Sequence, residues 1–269
     1  MIVHNFDPVF IDLGFFQIRW YSLAYIFGII ISWIYALKII TKKEFIDNES
    51  NEIKSSDFNN LITYLILGII IGGRLGYVLF YNFDYYIQNF LEIVKLWRGG
   101  MSFHGGLIGV IFAILIFSKI YKTNFFKLTD IIACVAPIGL FLGRLANFIN
   151  GELFGKVSYL PWAVIFPEGG NVPRHPSQIY EAIFEGIFLF IILNYLALKK
   201  RMLLKTGYIS GLFLILYSLF RIISENFREP DVHLGYFFKY FSMGTLLSIA
   251  TLIAGCLIIL FINKNERIN

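Results

Sequence analysis

Seven long apolar runs separated by short polar stretches set the pattern of this chain: roughly 20–40, 59–81, 102–120, 128–149, 177–198, 207–227 and 241–262. A helix needs about 20 apolar residues, within a range of about 17 to 25, to cross the hydrocarbon core of a bilayer. Each run meets that length, so the pattern predicts an all-α integral membrane protein with about seven transmembrane helices. The basic residues between the runs fall into two groups. Lys38, Lys42, Lys43 and Lys54; Lys119, Lys122 and Lys127; Lys199, Lys200, Arg201 and Lys205; and Lys264 and Arg267 occupy one alternating set of short connections. Short loops enriched in Lys and Arg stay on the cytoplasmic side. This predicts an outer N-terminus and a cytoplasmic C-terminus. The remaining Arg19, Arg74, Lys95, Arg98, Arg144, Lys156, Arg174, Arg221, Arg228 and Lys239 fall mostly in stretches of unusual composition, which places the chemistry at the outer face.

The polar segments have their own character. Residues 1–19 read as an outer-surface segment, an interfacial arm leading to Arg19-Trp20-Tyr21 at the start of the first helix. Aromatic residues in 82–98 (Tyr85, Tyr86, Trp97) suit a segment lying on the interface. In 156–176, Pro161, Pro167, Pro173, Pro176 and the pair Gly169-Gly170 exclude a regular helix and predict a small folded head on the outer face. With no internal repeat and no long linker, residues 1–269 are expected to form one polytopic membrane domain.

Composition agrees with that picture. Hydrophobic residues make up 57% of the chain and charged residues 15%, with a mean hydropathy of +0.69; a soluble domain carries about 25% charged residues. The net charge of +5 is mostly topological and gives no reason to expect nucleic acid as a partner. Cys134 and Cys256 both sit in apolar runs without CxxC spacing, and are read as small hydrophobes rather than a disulfide or zinc site. The first apolar run lacks a short core with a small-residue cleavage site, and is read as a retained anchor. There is no GxSxG elbow and no HExxH, which removes the usual hydrolase and zinc-protease readings.

The densest chemistry lies in 143–156, Gly-Arg-Leu-Ala-Asn-Phe-Ile-Asn-Gly-Glu-Leu-Phe-Gly-Lys, at the end of the fourth run. Ionisable groups at the edge of hydrocarbon are unfavourable unless paired, so they mark function by default. Arg144 and Asn147 are three apart and share a helix face; Asn150, Glu152 and Gly155 follow within the same stretch. A helix end with snorkelling residues accounts for one Arg and one Gly here, but not for the whole group. Elsewhere, Gly68, Gly72 and Gly76 form a small-residue face for close helix packing. Arg74, inside the same run, needs a carboxylate or a ligand phosphate and is read as a lipid-contacting group or as supporting one. His104, bracketed by Gly99-Gly100 and Gly105-Gly106, suits backbone lining a cavity. Gln178, Glu181 and Glu185 lie on one face of the fifth helix, with Ser177 as its N-cap. The two carboxylates either neutralise the motif arginines or contact substrate. Tyr217, Arg221, Glu225 and Arg228 form one stripe on the sixth helix; Arg221 and Glu225 can pair, which leaves Arg228 over. The seventh helix reads as scaffold.

These stretches carry a resemblance. GRLANFINGELFGK resembles, without a gap, the signature of the bacterial prolipoprotein diacylglyceryl transferases, and RWYSLAY, FHGGLIG, RHPSQIYE and RIISENFREPD also match that family. Two positions depart from its usual pattern. Ala146 stands where glycine is common and Lys156 where arginine is common, and Lys156 lacks the planar fork that grips phosphate. The resemblance implies an essential His104 and functional roles for Tyr21, Tyr217, Arg221 and Glu225. It also implies the reaction: transfer of the diacylglyceryl group of phosphatidylglycerol to the lipobox cysteine thiol in a prolipoprotein signal peptide, giving a thioether and glycerol 1-phosphate. This is the first step of lipoprotein maturation at the bacterial inner membrane.

Each demand of that reaction has a candidate. Thiols titrate near pH 8.5 and attack as thiolates; histidine, with an ordinary pKa of about 6.5, suits the base, which points to His104. Arg144 and Arg221 can stabilise charge developing on the leaving phosphate, with Glu225 orienting an arginine. Asn147, Asn150 and Tyr21 would hold glycerol or carbonyl oxygens. Arg74, Glu152, Gly155, Glu181 and Tyr217 complete the substrate-binding set. No metal or organic cofactor is required. A thiol acidified by arginine alone stands beside the histidine route. The other function classes are an anion transporter and a non-catalytic lipid scaffold. Charged motifs gathered at one face and the absence of repeat symmetry argue against the first, and the histidine argues against the second.

Overall fold

The computed structural model describes residues 2–42, 53, 55–230, 236, 237 and 241–268. Lys43, Lys54, Asp231 and Lys239 lie outside the described residues, and of 265–268, which include Arg267, only the backbone is described. The helices are α1 Trp20–Ile40, α2 Ser55–Tyr81, α3 Phe83–Gln88, α4 Phe103–Ile120, α5 Phe125–Ile149, α6 Ser177–Glu181, α7 Leu189–Asn194, α8 Tyr208–Glu225 and α9 Met243–Ile268. α6 and α7 are joined by wide π-type turns at Ala182–Phe188, and a second set follows at Tyr195–Lys199. Together they form one span, Ser177–Lys199, so seven helices among the described residues are long and apolar enough to cross a membrane. α2 starts at Ser55 rather than near 59. The polar Ser55, Ser56, Asp57, Asn59 and Asn60 extend it by a turn beyond its apolar stretch, which hydrophobicity alone does not mark. The chain is a multi-pass membrane protein, and the many exposed Ile, Leu and Phe along α1, α2 and α4 suit contact with lipid.

The chain divides into two compact units, Met1–Ala36 with Asp130–Asn269, and Leu37–Thr129; both boundaries fall within helices, α1 and α5. In the second unit, α2 and α4 meet backbone to backbone along Gly68, Gly72 and Gly76 on one side and Gly105 and Gly109 on the other. A Cβ placed on Gly109 would lie 2.0 Å from the Gly68 carbonyl oxygen, and one on Gly105 2.3 Å from that of Gly72. Apolar side chains cannot drive helices together in a solvent as apolar as themselves, so close backbone approach and dispersion do that work. The Gly105-Gly106 pair beside His104 is expected to line a cavity, and Gly105 does two things here: it closes on Gly72 and Gly76 and it lines the groove along the seam. An apolar groove of about 440 Å³ runs along this seam, lined by residues such as Leu67, Ile71, Leu75, Ile108 and Phe112, with no charged side chain.

Arg74 organises the connection after α2. It is buried, and its five N–H groups point at five backbone carbonyls: Nε donates to Ile93 at 2.7 Å, Nη1 to Gly100 at 3.1 Å and to Gly99, and Nη2 to Glu92 at 2.7 Å and Lys95 at 3.2 Å. The guanidinium also lies over the Tyr86 ring. A guanidinium has five donors and no more. Of the two readings of Arg74, lipid-contacting or supporting, the geometry fits the second, because its donors are engaged in holding 92–100 in place.

In the first unit, β1 (Ile2–Val3) pairs in parallel with β4 (Val164–Ile165), which pairs antiparallel with β5 (Pro173–Arg174). These strands form the expected head and fasten the N-terminal segment to it. His4 is buried among Phe6, Phe148 and Phe166, and its Nε2 meets the Phe148 carbonyl at 2.7 Å. Arg174 donates to the carbonyls of Gly169 and Gly155 at 2.9 and 3.1 Å and pairs with Glu229 at 3.1 Å. The hairpin β2 (Val9–Asp12) and β3 (Gln17–Arg19) ends in an apolar tip where Phe15 is 91% exposed, as an interfacial arm requires. β6 (Tyr236–Phe237) and β7 (Phe241–Ser242) form a short hairpin before α9. Asp130 receives N–H bonds from Gly207 (2.6 Å) and Ser210 (2.7 Å) and the Ser210 hydroxyl (2.6 Å), satisfying the start of α8 where helical N–H groups lack partners. The Ser177 cap is corrected: Pro176 occupies the cap position, and the Ser177 hydroxyl donates to the Leu153 carbonyl at 2.9 Å.

The seam makes a direct test of this packing. Gly109→Ala is expected to destabilise the protein by about 1–3 kcal/mol, the usual effect of overpacking. Gly139→Ala, where an added Cβ meets nothing within 4 Å, should be neutral or slightly stabilising. Unfolding midpoints in detergent separate the two.

Candidate active site

Three helices of the first unit supply the site. α5 presents Arg144 and Asn147 near its end, α6 and the wide turns after it present Gln178, Glu181 and Glu185, and α8 presents Tyr217, Arg221 and Glu225, with Arg228 just beyond. Spans 125–149 and 177–199 have the largest buried shares of the seven, 39% and 44%. Their inward faces can therefore hold polar groups away from lipid. Glu185 lies within the π-type turns, a feature often found at functional positions in helices.

The charged groups assemble into one network. Arg144 reaches Glu181 with Nε at 2.9 Å and Glu185 with Nη2 at 3.0 Å. Arg221 reaches Glu181 at 3.0 Å, Glu185 at 3.5 Å and Glu225 at 2.7 Å. Arg228 meets Glu181 at 3.3 Å. Glu181 and Glu185 are 1% and 0% exposed, so almost no water screens them. Three guanidinium and three carboxylate charges cancel, and such mutual pairing is what permits ions in a medium of low dielectric. Glu225 is held in turn by the Ser242 hydroxyl at 2.8 Å, and Gly244 leaves room for it, since a Cβ there would lie 2.6 Å from its Oε1. Arg144 is the arginine with the largest exposed fraction in the network (17%, against 11% and 9%), and its Nη1 makes no hydrogen bond among the described residues.

A second, uncharged group adjoins Glu152. Asn147 Nδ2 donates to Glu152 Oε1 at 2.7 Å and Asn150 Nδ2 to the same oxygen at 3.5 Å, while Gln178 Nε2 donates to the Glu152 carbonyl at 2.6 Å. Tyr21 accepts a hydrogen bond from Tyr25 at 3.5 Å, and Tyr25 lies in electrostatic reach of Glu152 and Arg144. Tyr217 stands in the same relation to Glu185, Arg144 and Arg221. On the head, Trp162 Nε1 donates to the Tyr180 hydroxyl at 2.7 Å, and that hydroxyl meets His175 Nδ1 at 3.2 Å. Burial first, and then the Lys156 charge, lower the pKa of His175 and keep it neutral at pH 7.

The first unit thus brings together Arg144, Asn147, Asn150, Glu152, Glu181, Tyr217, Arg221 and Glu225. Two expectations sharpen. Glu181 is a counter-ion to three arginines, with both of its oxygens paired. Gly155 is closed off: its N–H donates to the His175 carbonyl at 2.9 Å, and a Cβ would meet the Phe227 carbonyl at 2.5 Å. Packing by itself requires a glycine there. His104 belongs to the second unit, where it is exposed, packs edge-on against Phe103 and makes no hydrogen bond or ion pair with any described residue. Sequence reasoning passed over Tyr25, Ser242 and Gly244. Tyr25 carried a signal, standing four residues after Tyr21; Ser242 and Gly244 carried none, because they meet Glu225 only through the tertiary fold.

Charge balance yields a test. Glu181→Gln leaves one buried guanidinium charge uncompensated and is expected to destabilise the protein by about 3–5 kcal/mol. Glu152→Gln, at an exposed carboxylate outside the network, should change stability by less than about 1 kcal/mol. Denaturation in detergent compares the two directly.

Residues 8–261 match the family of prolipoprotein diacylglyceryl transferases. Curated relatives named phosphatidylglycerol–prolipoprotein diacylglyceryl transferase include one from Rickettsia canadensis, 51% identical over 95% of this chain and 96% of the relative. Another, from Rickettsia typhi, is 50% identical over 98% and 100%, and one from Rickettsia bellii is 51% identical over 97% of both. Matches of this extent cover every motif from the α1 tyrosines to the arginine stripe of α8, and the chain belongs to the prolipoprotein diacylglyceryl transferase family.

Proposed function

We propose that this chain transfers the diacylglyceryl group of phosphatidylglycerol to a cysteine thiol in the lipobox of a prolipoprotein signal peptide. The observation that carries the reading at the site is Arg144. Its guanidinium is anchored on two buried carboxylates, yet Nη1 is not committed among the described residues. That is the arrangement for a phosphate oxyanion: a fixed cation whose remaining donors face the ligand. In the reaction the thiolate sulfur attacks the glyceryl carbon that carries the phosphate oxygen. A C–S bond forms, the C–O bond breaks, and glycerol 1-phosphate leaves with the electron pair. Arg144 stabilises the charge that grows on the leaving oxygen. Arg221, held among Glu181, Glu185 and Glu225, shares in stabilising that charge, with Glu225 orienting its guanidinium.

The thiol proton goes to His104, whose exposed ring has both nitrogens unengaged among the described residues. Tyr21, Asn147, Asn150, Glu152 and Tyr217 position the glycerol and carbonyl oxygens. The two compact units are parts of one membrane domain, a reading supported by the helices that run across both boundaries. The protein works in the bacterial inner membrane, with the head outside and the C-terminus in the cytoplasm. Support comes from Lys199, which closes the 177–199 span at the end away from the head, and from Lys200, Arg201 and Lys205, which follow it.

Purified protein in detergent, headgroup-labelled phosphatidylglycerol and a lipobox peptide bearing Cys or Ser form the assay. Labelled glycerol phosphate should appear with the Cys peptide only, and His104→Ala and Arg144→Ala should each lower the rate by at least about 10²-fold. Release without peptide would mean a lipase. Binding of the lipid without release would favour a transporter or scaffold.

A further inference from the structure

Two buried amide oxygens beside Glu152 stand out from the rest of the polar interior. Gln178 is 1% exposed, and its Nε2 donates to the Glu152 carbonyl at 2.6 Å. A carbonyl can only accept, so that contact fixes which way the amide points. Gln178 Oε1 is left buried with no hydrogen-bond partner among the described residues. Asn150 repeats the pattern. Its Nδ2 faces Glu152 Oε1 at 3.5 Å, and its Oδ1 is buried without a partner among the described residues. An acceptor left this way is unfavourable, and a native site normally provides a donor for it. Here two acceptors are left beside one residue, next to the arginine network.

We propose that Gln178 and Asn150 form a hydroxyl-reading subsite that takes the free glycerol end of the phosphatidylglycerol headgroup; this rests on the transferase reading above. Both groups are acceptors, so the complementary ligand brings hydrogen-bond donors, and the free glycerol end of phosphatidylglycerol supplies two hydroxyls. Gln178 lies three residues before Glu181, the partner of Arg144. Three residues advance a helix by roughly 4.5 Å, comparable to the separation between the phosphate and the outer hydroxyls of a glycerol phosphate ester. A phosphate on Arg144 therefore places its glycerol end at the level of the two oxygens. Choline headgroups have no N–H or O–H to offer and are rejected by the unmet acceptors, as polar sites generally reject analogues that lack the matching group. Gln178 and Asn150 would thus favour headgroups with free donors over those without, while Arg144 serves the phosphodiester common to all of them.

The test compares phosphatidylglycerol with phosphatidylpropanol, the same phosphodiester without free hydroxyls, using the detergent-solubilised full chain and a Cys lipobox peptide. Wild type should prefer phosphatidylglycerol in kcat/KM by on the order of tenfold per hydrogen bond lost. Gln178→Leu should lower kcat/KM for phosphatidylglycerol on the order of tenfold and leave phosphatidylpropanol nearly unchanged, so that the preference shrinks. Asn150→Leu, at a half-buried position, should shrink it independently if Gln178→Leu does not fold. Equal losses on both lipids would mean that the amides only support Glu152, and the subsite would be wrong. An unchanged preference in both variants would overturn it as well. No turnover of either lipid by wild type would sink the transferase reading, and the subsite with it.

Discussion

The structure of the first unit depends on cancelling charge inside a bilayer. Three arginines from α5, α8 and the turn after α8 are held by three glutamates, two of which are almost fully buried. Separated, any of these ions would be strongly unfavourable at that depth; together they form a rigid neutral cluster. That rigidity is what a phosphate site requires. A guanidinium held from behind by carboxylates need not reorganise when charge develops in front of it. Ser242 and Gly244 extend the support to the start of α9, so the helix with no charge in its apolar stretch still takes part in holding Glu225.

The second unit solves a different problem by a different route. α2 and α4 touch through glycines, and their contact is backbone on backbone. Arg74, at the end of that seam, uses all its donors on carbonyls of the following connection. Arg74 and Arg144 look alike in a hydropathy plot, each a lone cation in an apolar run beside glycine. What separates them is the partner: carbonyl oxygens exhaust the guanidinium of Arg74 as a structural clamp, whereas two carboxylates anchor one edge of that of Arg144 and leave Nη1 without a hydrogen bond among the described residues.

A similar contrast applies to the glycines and amides of the signature. Gly155 looks like a place where backbone approaches a ligand, but it is a place where three segments of the protein approach one another. Gln178 looks like one more polar residue on a helix face, yet it buries an acceptor with no partner among the described residues. Function and packing draw on the same small set of residue types, and the hydrogen-bond inventory distinguishes them.

The number, length and type of the membrane spans were legible in the sequence, because hydrocarbon imposes one length and one backbone solution on any crossing segment. The stripes Arg144–Asn147, Gln178–Glu181–Glu185 and Tyr217–Arg221–Glu225 were legible for a similar reason, since helical periodicity assigns them to faces without knowledge of the fold. The signature stretch named the family. Which cation met which anion was not legible: any of three arginines could pair with any of several carboxylates at equal cost in a one-dimensional string. The exhaustion of Arg74, the closure around Gly155, the support from Ser242 and Gly244, and the stranded oxygens of Gln178 and Asn150 all depend on distances between segments far apart in the chain. Hydrogen bonding is short-ranged and saturable, so only the tertiary structure could decide which donors and acceptors were spent and which were not.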